Sequence, residues 1–308
     1  MKKKRVALLA GGWSDEKVVS RESGDAVYRA LDPAKYNVVL YDPARDMGKL
    51  IKAKEEIDIA FNLLHGKYGE DGCMQGVLKI LGIPFVGSGL LASAMAMDKG
   101  VAKGAFMDRG LRVPKGVIIK RRDSFAAESM MRALGPVVVV KPVSEGSSLG
   151  ISVCSAVQEI ERGIKNAFEF DREVMVEEYI EGREVTACIL GDSPLCVLPI
   201  VEIVPEASRF FDYKSKYGGL TKEVCPAKLP ERLIQEVQNC AREAHLALRC
   251  SVWSRTDMII DKDEKVYILE TNTIPGMTTA SLFPLAARAA GISFPDLLDK
   301  LIELSFER

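Results

Sequence analysis

The sequence predicts an α/β protein of two or three domains that opens with a parallel sheet. Three observations predict it. Short apolar runs alternate with helical patterns through the first third. Residues 114–167 then read strand, helix, strand, loop, strand, helix. The last third is richer in strands, with two helical patterns to cover them. Strands that alternate with helical patterns imply parallel pairing through crossover helices.

The elements follow in order. Residues 5–10 are a short apolar run closed by Gly11-Gly12, and a helical pattern spans about 15–31. Residues 37–41 and 58–64 are further strand candidates, with a helix near 71–81. After the central segment, strands are expected at 184–190, 197–204, 252–260 and 265–270, and helices at about 230–248 and 294–305. Candidate boundaries near residues 94 and 179 divide the chain into an N-terminal α/β domain (1–94), a central domain (95–178) and a C-terminal domain (179–308). No internal repeat or low-complexity segment interrupts this plan.

Composition narrows the function classes. The chain has 308 residues, 47% of them apolar, enough for a sizeable core, and a formal net charge of −1. That balance gives no overall basic field for nucleic acid or an anionic membrane. The leading Met-Lys-Lys-Lys-Arg precedes only five apolar residues before Gly11-Gly12, so it reads as a first strand rather than a secretory signal. No apolar run approaches the roughly 18 residues that span a bilayer. The seven cysteines are scattered without Cys-x-x-Cys, which fits free thiols in a reducing cytoplasm. Two histidines are too few for a His-rich metal centre.

Residues 254–278, "SRTDMIIDKDEKVYILETNTIPGMT", carry the most information. Two strands joined by a polar turn place Arg255 and Asp257 on one side, and Glu270 and Asn272 opposite. Three oxygen-bearing side chains on one face suit a hard divalent cation, which usually sits between carboxylates and substrate phosphates. Arg255 beside them could hold a phosphoryl oxygen or a tetrahedral intermediate. A solvated polar hairpin with cross-strand ion pairs is the plainer alternative.

Lys141 ends an apolar run just before the Gly/Ser loop 144–150, a place suited to phosphate. The loop lacks the Gly-Lys-Ser/Thr of a Walker motif, and an ordinary turn fits it equally. Lys99 lies in a helical pattern and by itself reads as a surface lysine. Residues 176–186 look like one strand crossing between domains. Its Glu177, Glu178 and Glu184 could bond an adenine amino group or ribose hydroxyls, with a charged linker as the equal alternative. Glu16 follows the first strand where α/β sheets place ligands, and could hold an ammonium or simply complement a helix dipole. His65 follows the 58–64 strand and gains interest only beside Glu16. His245 sits in an Ala/Leu-rich helix and reads as packing.

Together these segments resemble the D-alanine–D-alanine ligases of the ATP-grasp fold. The resemblance runs through "GGWSDEKVVS", "LLHGKYGEDGCMQG", "IPFVGSG", "AMDK", "VVVKPVSEGSSLG", "FFDYKSKY", "RTDM", "ETNTIPGMT" and "SLFPLAARAAG", in the family's order over nearly the whole chain. It implies a three-domain α/β (α+β) ATP-grasp enzyme that joins two D-alanines with ATP. Lys99 and Lys141 would contact nucleotide phosphates, and Lys216 the γ-phosphate. Glu177 would lie by the adenine and Glu184 on the ribose. Asp257, Glu270 and Asn272 would hold two Mg²⁺ ions, with Mn²⁺ as a substitute. Glu16 would bind the ammonium of the first D-alanine, with His65 near it. Ser147, Tyr217 and Glu16 would form a hydrogen-bonded group joining the N-terminal domain, the lid and the loop after Phe210. Arg255 and the Gly276 N–H would stabilise the tetrahedral intermediate, and Ser281 and Leu282 would receive the second carboxylate. Loops 144–150 and 210–226 would close over the acyl-phosphate. The resemblance also implies a cytoplasmic homodimer, paired through the N-terminal domain.

Tyr217 in "SKY" goes, in this family, with amine rather than D-lactate acceptors. Lys17, Arg21, Ser254 and the short 218–226 loop depart from the family pattern around the amino-acid pocket and lid. They leave open a ligase for another small amino or hydroxy acid, such as D-serine or D-lactate. A catalytically silent nucleotide-binding protein on the same fold is the reading from a different class. The retained Arg255, Asp257, Glu270 and Asn272 argue against it.

Overall fold

A computed structural model describes residues 2–146, 149–205 and 221–307. Ser147, Lys216 and Tyr217, with most of the loop after Phe210, lie outside the described residues.

The N-terminal sheet is parallel, in the order β2 (Tyr36–Tyr41), β1 (Lys4–Leu9), β3 (Ile59–Asn62). Val6 to Leu9 are all buried, as expected where a parallel sheet is covered on both faces. Helix α1 (Lys17–Ala30) turns Ser20, Ser23, Gly24 and Val27 inward, at helical spacing. A Cβ on Gly24 would lie 2.5 Å from that of Ala10, so helix and sheet approach closely. Ser20 ties them further: its hydroxyl accepts from Gly11 N–H (2.9 Å) and donates to the Leu63 carbonyl (2.7 Å). Helix α2 (Pro43–Lys52) is capped by Asp42, with proline in its first turn. Helices α3 (Cys73–Ile80) and α4 (Leu90–Met97) follow. Residue 94, expected near a domain boundary, falls inside α4.

Helix α5 (Lys99–Asp108) begins at Asp98, whose carboxylate accepts from Gly100 and Val101 N–H groups. A four-stranded antiparallel sheet comes next, ordered β4 (Gly116–Lys120), β7 (Glu173–Glu178), β5 (Val138–Pro142), β6 (Ser152–Cys154). Helix α7 (Val157–Ala167) packs with it through Ile160 and Ile164, and helix α6 (Ala127–Leu134) through Ala127.

The third sheet, also antiparallel, runs β11 (Thr221–Val224), β10 (Val201–Pro205), β8 (Gly182–Leu190), β12 (Trp253–Asp261), β13 (Val266–Asn272), with β9 (Cys196–Val197) on β8. Helix α8 (Glu231–Ala247) covers one face. Helices α9 (Leu282–Ala289) and α10 (Phe294–Phe306) close a core shared with the first sheet. Trp253 of β12 meets Phe61 of β3 and Phe283 of α9 edge-on, with centroids 6.2 and 5.3 Å apart. Such pairs add about 0.5–1.5 kcal/mol to their burial.

Two strand expectations need correction. Residues 197–204 form two strands, because Pro199 cannot donate to a ladder and the pairing breaks around it. Residues 176–186 are not one strand: β7 ends at Glu178 in the second sheet and β8 starts at Gly182 in the third. A Cβ on Gly182 would meet the Ile260 carbonyl at 2.1 Å, so glycine is needed where β8 enters beside β12.

Candidate active site

The second and third sheets face each other across a cleft of about 370 Å³. Lys99, Lys141, Glu177, Glu184, Asp257 and Glu270 all line it, together with apolar Val139, Ile151 and Leu269. The sequence-predicted nucleotide contacts within the described residues therefore share one cavity. Lys99 is not a surface lysine: it is 7% exposed. Its ammonium donates to the Glu145 carbonyl (2.6 Å) and lies 3.8 Å from Glu270. Burial lowers its pKa, an effect that Glu270 partly offsets.

The β12–β13 hairpin sets the next group. Arg255 pairs with Asn272 and Asp257 with Glu270 across the ladder, and a bulge follows Asp257. Arg255 grips Asp257 with two hydrogen bonds, Nε to Oδ1 at 2.9 Å and Nη2 to Oδ2 at 2.7 Å. Thr186 donates to Oδ1 (2.5 Å), and Asn272 Nδ2 lies 3.4 Å from Oδ2. Two of the five guanidinium donors are thus engaged in fixing Asp257. Among the described residues no three His, Cys, Asp or Glu side chains cluster as a metal site. The predicted set instead offers two carboxylates and one amide. That donor chemistry fits Mg²⁺, which takes oxygen ligands and leaves positions for substrate phosphates.

Glu16, expected to hold an ammonium, precedes α1 and faces the turn after β3. A Cβ on Gly66 would lie 2.6 Å from Glu16 Oε2, and one on Gly146 3.0 Å away. Glu16 therefore touches both the His65-Gly66 turn and the 144–150 loop. His65 is buried, and its carbonyl accepts from Ser14 Oγ (2.7 Å). Gly276 lies against Ser281: a Cβ there would be 2.9 Å from Ser281 Oγ. That hydroxyl also accepts from Thr278 N–H (3.0 Å) and precedes Leu282 at the start of α9.

Three departures from the family pattern have a local explanation. Lys17 and Arg21 lie on the exposed face of α1, and Arg21 pairs with Asp42 at 3.1 Å. Ser254 turns away from the cleft to His245 of α8, 2.7 Å away. Residues 218–220 of the short loop lie outside the described residues.

Two residues were missed in the sequence. Lys103, one helical turn after Lys99, is buried and pairs with Glu177. Its signal was the i, i+4 spacing on a face shared with Ala102 and Phe106. Glu70 accepts from Gly66 N–H (2.7 Å) and lines a small adjoining cavity with Lys99, Gly146, Glu270 and Asn272. Desolvation, then the charge of Glu16, push its pKa up to about 8. Nothing in its sequence neighbourhood marks it.

Two β-rich units closing on a lysine- and carboxylate-lined cleft define the ATP-grasp class of ligases. Comparison with known proteins narrows the class. The D-ala D-ala ligase C-terminus family model matches residues 106–303, and the N-terminus model residues 42–88. A D-alanine–D-alanine ligase of Syntrophobacter fumaroxidans is 47% identical over 98% of this chain and 97% of its own. The crystal structure of the Bacillus anthracis D-alanine–D-alanine ligase complexed with ATP is 37% identical, with TM-score 0.87 over 99% of this chain and 98% of that one. The VanG D-Ala:D-Ser ligase of Enterococcus faecalis is 33% identical, with TM-score 0.84 over 99% of this chain and 100% of that one. The chain belongs to the D-alanine–D-alanine ligase family.

Proposed function

We propose that this protein joins two D-alanines into D-alanyl-D-alanine, a peptidoglycan precursor, at the expense of ATP. The observation that carries the reading is the continuity of the cleft. It runs from Glu184 and Glu177, past Lys99 and Lys141, to Asp257 and Glu270, and Glu16 stands beyond at the 144–150 loop. Glu184 and Glu177 take the nucleoside, while Lys99, Lys141 and Lys216 neutralise its phosphates. Asp257, Glu270 and Asn272 would hold two Mg²⁺ ions, or Mn²⁺ in their place, which would supply charge neutralisation at the transferring phosphoryl group.

A carboxylate is a poor acyl donor. Glu16 therefore fixes the ammonium of the first D-alanine, with His65 alongside, so that its carboxylate attacks the γ-phosphorus and ADP leaves. The resulting acyl-phosphate must be kept from water, the task of loops 144–150 and 210–226. Ser281 and the Leu282 backbone hold the second carboxylate, and Ser147 and Tyr217 join Glu16 across the closed site. The second amine then attacks the acyl carbon. Arg255 and the Gly276 N–H steady the tetrahedral oxyanion, and inorganic phosphate departs. The protein acts in the cytoplasm as a homodimer paired through the N-terminal domain. Its three units are residues 1–94, 95–178 and 179–308.

Phosphate release from ATP and Mg²⁺ tests this, with D-alanine, D-serine, D-lactate and L-alanine supplied singly and in pairs and products identified by mass. D-Alanine alone is expected to suffice and to yield its dipeptide. Turnover that requires D-serine would favour the D-Ala:D-Ser reading suggested by the likeness to VanG. Silence with every acid would sink the ligase reading.

A further inference from the structure

The cleft wall holds a charge arrangement that this chemistry does not explain. Glu177 of β7 lies between two ammonium groups. Its Oε1 is 2.5 Å from Lys141 Nζ, and its Oε2 accepts from Lys103 Nζ. All three side chains are buried. Lys103 also donates to the Pro114 carbonyl at 3.0 Å. Glu177 and Lys141 line the cleft, whereas Lys103 stands behind that wall. Burial alone would push the Glu177 carboxyl up, but the two lysines outweigh it and hold the carboxyl below its ordinary range.

One carboxylate needs only one cation. A buried carboxylate that loses its sole partner is strongly destabilised. With a single lysine, Lys141 could reach a phosphate only by abandoning Glu177. We propose that Lys103 is a positioning residue for nucleotide binding: it keeps Glu177 paired while Lys141 Nζ moves from that carboxylate to a phosphoryl oxygen. The trio carries one surplus positive charge in the ligand-free cleft and becomes a one-to-one pair once Lys141 has left. Lys103 is well held for this role, because Ala102 and Phe106 pack the same face of α5 into the core. Gly116 leaves the room: a Cβ there would lie 3.0 Å from that of Glu177.

The inference rests on the nucleotide reading above, so the test measures nucleotide binding alone. ADP binding by calorimetry, without amino acid, is compared for the unchanged chain, K103M, E177Q and K103M/E177Q. K103M is expected to raise the ADP Kd at least about tenfold. In turnover it should raise the KM for ATP in step, with the KM for D-alanine held within about twofold. In the E177Q background no carboxylate needs a partner, and K103M should change Kd by less than about twofold. That pair still decides the matter if K103M alone does not fold. Unchanged ADP binding in K103M overturns the inference, as does an equal loss in both backgrounds, which marks packing rather than charge. Absence of ADP binding by the unchanged chain would instead remove the nucleotide reading itself.

Discussion

His245 Nδ1 lies 2.7 Å from Ser254 Oγ, a buried hydrogen bond joining α8 to β12 one residue before Arg255. Alternation along the strand sends Asp257 to the cleft, with Arg255 bonded to it on the same side, and Ser254 to the helix behind. The hydroxyl that departs from the family's small residue is therefore matched to a histidine, not to a substrate. Ser254→Ala should lower stability by about 1–2 kcal/mol in chemical denaturation, because His245 loses this partner in the core. The KM for D-alanine should stay within about twofold of the unchanged chain. An altered preference between D-alanine and D-serine would place Ser254 in the pocket and refute the assignment.

Glu270 stands opposite Asp257 on the hairpin and 3.8 Å from Lys99. Its carboxylate is partly exposed and accepts none of the short bonds that fix Asp257, so it is available to an ion. Glu270→Gln should cut turnover at least about 100-fold while leaving the melting temperature nearly unchanged. The Mg²⁺ concentration for half-maximal rate should rise with it. Full activity at the same Mg²⁺ concentration would sink the metal assignment.

Glu70 gives the nucleotide-free protein a pH dependence whose sign is fixed. Its folded pKa is raised from 4.5 to about 8, chiefly by desolvation and then by Glu16. Between those values the folded state keeps a proton that the unfolded chain has lost. Stability from this group is thus full below pH 4.5, falls as pH rises, and is gone above about 8. Glu70→Gln mimics the neutral acid and can still accept from Gly66 N–H. The melting temperature of the variant should gain on that of the unchanged chain from about pH 5 to about pH 8, and level off beyond. A difference that does not vary with pH would show that Glu70 is ionised throughout.

Much of this architecture was legible in the sequence because period and punctuation agree. The parallel first sheet announces itself in the apolar runs at β1 and β3, and the Arg255–Asp257 and Glu270–Asn272 spacings place four side chains on one hairpin face. The misreadings have physical causes. Pro199 breaks a run that hydrophobicity alone joins. Gly182 marks a change of sheet that reads as a continuous strand. Lys99 and Lys103 resemble surface lysines because their burial depends on Glu145, Glu177 and Glu270, which are 46 to 171 residues away. Glu70 was invisible for the same reason: what shifts it is the closeness of the turn after β3, α1 and the hairpin, a tertiary fact without local period.

The close fit between Gly66 and Glu16 yields a last test. Gly66 has φ +66°, and a Cβ there would sit 2.6 Å from Glu16 Oε2 and 3.1 Å from Ser14 Cβ. Gly66→Ala therefore meets two obstacles: a left-handed backbone disfavoured for a side chain, and a carboxylate already in the space. The backbone effect should cost about 1–2 kcal/mol of stability. Because Glu16 is proposed to hold the first ammonium, its displacement should raise the KM for D-alanine at least about tenfold, with ADP binding held within about twofold. Glu16→Gln separates the two effects, since it removes the charge without straining the turn: KM should rise similarly while the melting temperature does not fall, because the charge that raises the Glu70 pKa is gone. Loss of stability in Gly66→Ala with an unchanged KM in both variants would leave Glu16 as a structural residue at the start of α1 and move the ammonium contact elsewhere.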